Sequence, residues 1–308
     1  MASIGQTRGE VRVGAVIGGA LGLIVRRPFS VLAWGLYTLL FAVLPIGFVL
    51  LVLLPGMEKA AQAAMIAGQS APRPVVLIQL AGAYALIGLL LLVTLAVVDT
   101  AVYRAVLESD NRGLFYLRLR RRELSLVRVH LVQALSWAVL LAVAAVPMAW
   151  LMGAATNGLG RSWAVLIGVV VGLVATFIFG LVGLRLSLAG PGAFANGRQS
   201  LVKSWRMTRE RLGPILITAA IMSVILWFGA YLVQAAVHLS PVGAAAVLAR
   251  EGARGGDLKR LAIIAGALVV YLGVARALIA APAALIWRQL TPAPAAEAEN
   301  PPQRGALL

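Results

Sequence analysis

The stretch "SLAGPGAFANGRQSLVKSWRMTRERLGP", residues 187–214, decides how this chain folds. It carries Arg198, Lys203, Arg206, Arg209 and Arg211 against one acid, Glu210, between two long apolar flanks. On a helix, at about 100° per residue, residues 198–212 place Leu201, Trp205, Thr208 and Leu212 on one face. Gln199, Lys203, Arg206 and Glu210 fall opposite. An amphipathic basic helix with a Trp suits the headgroup region of an anionic leaflet, where each Lys or Arg contributes about 1 kcal/mol. Its place between two apolar runs predicts a chain that re-enters a membrane from that leaflet.

Composition points the same way. Of 308 residues, 61% are hydrophobic and 12% charged, with a mean hydropathy of +0.93. Soluble domains are about half apolar and a quarter charged, so lipid must cover much of this surface. The chain has no Cys, which excludes disulfides and thiolate metal sites. Two histidines, His130 and His238, are too few for a histidine-rich metal site. The net charge is +16, and Arg supplies 24 of the 27 basic residues. On a membrane chain such an excess reads first as cytoplasmic loops. The single aromatic residue within 198–212 argues against a nucleic-acid platform, which interleaves bases with several aromatics. Arg over Lys, with abundant Ala and Gly, points to a GC-rich bacterial genome.

A helix needs about 20 apolar residues to cross a bilayer. Six stretches qualify: Phe29–Leu54, Val75–Val98, Leu131–Met152, Trp163–Leu184, Pro214–Val237 and Leu261–Trp287. The first five hold no charge, and the sixth holds only Arg276. Pro45 and Pro147 are expected to kink their helices rather than end them. The N-tail, the connections 99–130 and 185–213 and the C-tail carry 19 basic residues; the opposite connections carry 7. The asymmetry places both termini in the cytoplasm, although the 238–260 connection, with four basic residues, runs against it. The expected fold class is all-α: a polytopic membrane protein of six transmembrane helices in three hairpins, with cytoplasmic interfacial helices, in one domain over 1–290.

Residues 9–26 are expected to form an interfacial helix, because the apolar run Val13–Val25 is too short to span and Arg26–Arg27–Pro28 follows it. Gly14, Gly18 and Gly22 recur every fourth residue, which either gives a flat stripe for close helix contact or reflects the high glycine content. The connection "RAVLESDNRGLFYLRLRRRELSLVRVH" (104–130) sets aromatic residues beside Arg120, Arg121 and Arg122, a pattern that can wedge into the interface while guanidinium groups meet phosphates. The candidate anionic-lipid contacts are therefore Arg120, Arg121, Arg122, Arg198, Lys203, Trp205, Arg206 and Arg209. The tail 291–308, rich in Pro, Ala and Glu, is expected to be disordered. Spans four and six end alike, as "RLSLAGPGAF" (185–194) and "RALIAAPAAL" (276–285), with Arg104 in the matching place after span two. Three hairpins, each leaving past an Arg, make a plausible repeat.

The segments "RLSLAGPGAF…SLVKSWRMTRERLGPIL" (185–216) and "YRAVLESDNRGLFYLRLRRREL" (103–124) resemble a large bacterial inner-membrane group of six-span proteins. The group includes the membrane domain fused to some glycerophosphodiester phosphodiesterases. The resemblance implies a six-helix bundle with interfacial helices and carries over no catalytic activity, because the phosphodiesterase domain has no counterpart in this sequence. Ser109 and Arg120 depart from the pattern, where relatives often have Pro and Gly.

Catalytic signatures are missing. No HExxH, GxSxG or P-loop occurs, and among the eleven acids only Asp99 approaches hydrocarbon. Neither metal nor cofactor is expected. The candidate polar cluster is Asp99 with Arg185 and Arg276, in which either arginine holds the carboxylate or Arg276 snorkels to the interface. The expected function is a non-enzymatic bacterial inner-membrane protein that organises or supports the membrane through anionic phospholipids of the inner leaflet or protein partners. A small transporter or lipid translocator is the alternative, and a lipid-headgroup enzyme a third.

Overall fold

A computed structural model describes residues 11–49, 74–108, 114–117, 125–136, 139, 161–196, 201–209, 211–239, 241–252 and 257–291. Among these the chain is all-helical and contains no strand. The helices are α1 (Val13–Arg26), α2 (Pro28–Thr38), α3 (Pro74–Leu107), α4 (125–136), α5 (Arg161–Leu186), α6 (Ala189–Asn196), α7 (Leu201–Arg209), α8 (Leu212–Val237), α9 (Pro241–Gly252) and α10 (Leu258–Leu290). Among the described residues five stretches are long and apolar enough to cross a membrane: Pro28–Gly47, Ala85–Leu107, Gly168–Asn196, Leu212–Val237 and Leu258–Leu290. Leu212–Val237 alone, at 26 residues, reaches about 39 Å. Most of the expected third span, Leu131–Met152, lies outside the described residues, as does the tail from 292 onward.

The first span runs through its own proline. α2 begins at Pro28, where the missing N–H costs nothing, and runs on through a π-helical turn, Leu39–Val43, into Leu44–Phe48. Pro45 cannot donate to the carbonyl four residues back, that of Phe41. The buried Thr94 hydroxyl of α3 donates to that carbonyl instead, at 3.2 Å. A neighbouring helix thus supplies the bond that proline removes.

Helix α10 is the hub, packing against α1, α2, α3, α6, α8 and α9. Asp257 caps it by accepting from the Lys259 N–H at 3.0 Å. Its closest crossing is with α2, where a methyl group on Gly35 would overlap the Val269 carbonyl and one on Gly273 would overlap the Val31 carbonyl. Only glycine lets two backbones approach so closely. One core collects α1, α3, α6 and the second half of α10 around Trp34, Phe194, Leu278 and Trp287. A second surrounds Leu39, Ala244, Ile264 and Leu268. It includes α9, a helix inside the 238–260 connection that the sequence pattern does not announce. Outward from both cores α5 and α8 expose Leu173, Phe177, Val224, Trp227 and Phe228, an apolar face suited to lipid.

The shared "Arg, five residues, Pro" pattern takes two different forms. α5 stops at Leu186, and Pro191 sits in the first turn of α6, whereas α10 continues through Pro282. The first segment carries Gly190 and Gly192, each about 1 kcal/mol worse than Ala in a helix interior, while the second is nearly all Ala and Leu. The glycines also admit bulky neighbours: a Cβ on Gly190 would meet the Tyr103 hydroxyl at 2.6 Å, and one on Gly192 the Trp287 ring at 2.8 Å.

Candidate functional site

Where α5 stops, the Arg185 carbonyl loses its helical partner. Ser187 turns the chain, donating its hydroxyl to Leu184 O at 2.7 Å. The Ser204 hydroxyl of α7 then donates to Arg185 O at 2.7 Å, with the Thr208 hydroxyl 3.5 Å from the same oxygen. Both side chains are fully buried. Positions 204 and 208 are four apart, so they form one face, and that face docks α7 onto the end of α5. The expected apolar face is therefore rotated: Ser204 and Thr208 lead it, while Trp205 remains 43% exposed.

Docking sets the rest of α7. The Arg185 guanidinium lies over the Trp205 ring, 4.6 Å from its centroid, and Lys203 Nζ lies 5.3 Å from that of buried Trp287. Such contacts contribute about 0.5–1 kcal/mol at exposed sites. Lys203, Arg206 and Arg209 are exposed along the helix. Arg120, Arg121, Arg122 and Arg198 lie outside the described residues.

A second polar group sits between α3, α4 and α5. The expected span two, Val75–Val98, is exceeded by α3, which extends to Leu107 and buries Asp99, Thr100, Tyr103 and Arg104. Asp99 meets neither Arg185 nor Arg276; among the described residues its ionisable neighbour is His130 of α4, with Nε2 3.2 Å from Oδ2. That contact lies off the line of a good hydrogen bond, and Asp99 Oδ1 has no hydrogen-bond partner among the described residues. Arg276 is half-buried on α10, without an ion pair among the described residues.

A chain of hydrogen bonds runs from the end of α5 to the imidazole. The Leu186 carbonyl can only accept, and Gln133 Nε2 donates to it at 3.1 Å. Gln133 Oε1 then accepts from His130 Nδ1 at 3.2 Å. With Nδ1–H committed to Gln133, Nε2 is the ring nitrogen turned toward Asp99 Oδ2.

Arg104 is also engaged, donating to Tyr116 O at 2.7 Å and lying 5.9 Å from the Phe194 ring centroid. The buried Trp34 Nε1 donates to Phe115 O at 3.0 Å. Phe115 and Tyr116 both have positive φ, 49° and 63°, a conformation held here by two buried donors. Tyr116 consequently turns into the core, beneath Arg27 at 4.8 Å, rather than wedging toward lipid with Phe115. Asp99, Arg104, Arg185, Lys203 and Trp205 in these contacts could be picked out beforehand, though not their partners. His130 was visible only as one of two histidines, and Ser204 and Thr208 carried no charge to mark them.

No family model, curated protein or solved structure matches the chain. The likeness to the bacterial six-span group rests on its two quoted motifs.

Proposed function

We propose that this chain is an integral protein of a bacterial inner membrane, with both termini cytoplasmic, that organises the inner leaflet through anionic phospholipids rather than by turning over a substrate. The proposal includes the six-span arrangement and the kinship to the group its motifs resemble. One observation carries it: the buried Ser204 hydroxyl pins α7 to the end of α5, with Thr208 beside it, while Lys203, Arg206 and Arg209 stay exposed. A loop that served only to set topology would need its charges but not a buried hydroxyl clamp. A clamped helix holds its guanidinium groups in a fixed array, which favours headgroup binding by reducing the ordering cost.

The test uses a chain in which Trp205 is the sole Trp, placed in phosphatidylcholine nanodiscs with and without phosphatidylglycerol. Its emission should shift to the blue with the anionic lipid and revert in Lys203→Glu/Arg206→Glu/Arg209→Glu. Emission equal in both lipids would reject the reading. A second reading, a proton-linked transporter, is favoured by the buried Asp99–His130 pair, since ionisable groups at membrane depth are commonly functional. Proton uptake by proteoliposomes that disappears in His130→Ala would favour it.

A further inference from the structure

The end of the bundle where α1, α3 and α10 meet contains a cavity of about 380 Å³, far above the ~10–15 Å³ that admits one water. Arg26 and Arg27 at the end of α1 and Arg288 near the end of α10 line it, with no carboxylate among its described lining residues. Gly18 and Gly22 form its floor, and a Cβ built on either would meet nothing within 4 Å. The glycine stripe thus faces open space rather than a packed helix. The helix contact on α1 belongs instead to Gly19, where a Cβ would meet a Leu285 methyl at 2.9 Å.

Positions 18, 22 and 26 follow at four-residue steps, so the open glycine track leads along one face of α1 to the Arg26 guanidinium. Arg288 approaches from α10, its Nη1 3.4 Å from the Val106 carbonyl of α3. On its other side the track borders exposed Leu21 and Val25 of the same helix. A ligand fitting this site needs an anion for the guanidinium groups and an apolar part for the track and its rim. We infer that the cavity binds one anionic phospholipid, its phosphate held between Arg26 and Arg288 and its glycerol and proximal acyl carbons laid over Gly18 and Gly22. Planar guanidinium forks match phosphate oxygens, and the track admits a chain because it has no side chains. The site is separate from α7 and shares with the proposed function only the premise of a lipid bilayer.

Native mass spectrometry of the full chain, delipidated in an uncharged detergent and titrated with phosphatidylglycerol, reads this directly. Wild type should retain one lipid, and Arg26→Gln/Arg288→Gln should weaken that binding about tenfold or more. Gly22→Leu projects into open space, so it should fold normally and weaken the lipid by obstruction alone. It decides the matter if the arginine variant does not fold. Lys203→Gln/Arg206→Gln/Arg209→Gln should leave this lipid in place. Three results would overturn the inference: unchanged retention in Gly22→Leu, loss of the lipid in the α7 variant, or displacement of the lipid by inorganic phosphate with equal binding of free phosphate in Gly22→Leu. Loss in the α7 variant would leave the proposed function standing, whereas retention there with a silent Trp205 would sink that function and leave this site.

Discussion

Removing the Ser204 hydroxyl tests whether α7 is a docked element. In Ser204→Ala the Arg185 carbonyl loses a 2.7 Å donor supplied by a fully buried side chain. Leaving a buried acceptor unsatisfied costs about 1–3 kcal/mol. Thr208→Val offers a near-isosteric comparison. Thr208 Oγ1, with one proton to give, is 2.9 Å from Ser204 O and 3.1 Å from Trp205 O, both nearer than Arg185 O at 3.5 Å. It therefore serves mainly its own helix, and its loss should cost less than about 1 kcal/mol. Because α7 is a short element at the end of a span, the loss should appear as local opening rather than global unfolding. Hydrogen exchange across 201–209 should accelerate by about 5–150-fold in Ser204→Ala and by a smaller factor in Thr208→Val, with α8 unchanged. Equal protection in Ser204→Ala and wild type, or a larger effect of Thr208→Val, would refute the clamp.

Gly35→Leu must force α2 away from α10, since the obstruction is the Val269 backbone and cannot rotate aside. A loss of about 3 kcal/mol or more, or failure to fold, is expected in detergent unfolding; wild-type stability would contradict the close crossing. Thr94→Val should cost about 1–3 kcal/mol by leaving Phe41 O unmet, read as earlier unfolding, and no change would mean that the carbonyl has another donor. His130→Ala leaves the buried Asp99 carboxyl without its neighbour, a loss of about 1–3 kcal/mol. Combining it with Asp99→Asn should cost less than the two single losses added, and strict additivity would dissolve the pair.

The long charge-free runs made the apolar helices legible, because lipid tolerates few other patterns. What surrounds them was harder to read. α3 continues past Val98 through Asp99 and Arg104 because Tyr116 O and His130, remote in sequence, meet those charges. Nothing local to residue 99 announces that. The Gly35–Gly273 crossing was hidden because neither glycine belongs to a spaced pair, whereas the regular Gly14, Gly18 and Gly22 series drew attention and faces open space. The basic α7 was visible from its charges. Its docking face was not, since Ser204 and Thr208 matter only once α5 breaks and frees a carbonyl. That break depends on Gly190 and Gly192 admitting Tyr103 and Trp287, a tertiary fit that no hydropathy pattern records.

The central claim is that the exposed basic row of α7 lies at the cytoplasmic leaflet of an inner membrane. The native chain has no Cys, so Lys203→Cys provides a single labelling site. A membrane-impermeant maleimide should leave that thiol unmodified in intact spheroplasts and modify it in inverted vesicles. Modification in intact spheroplasts would place α7 on the outer side and contradict the account.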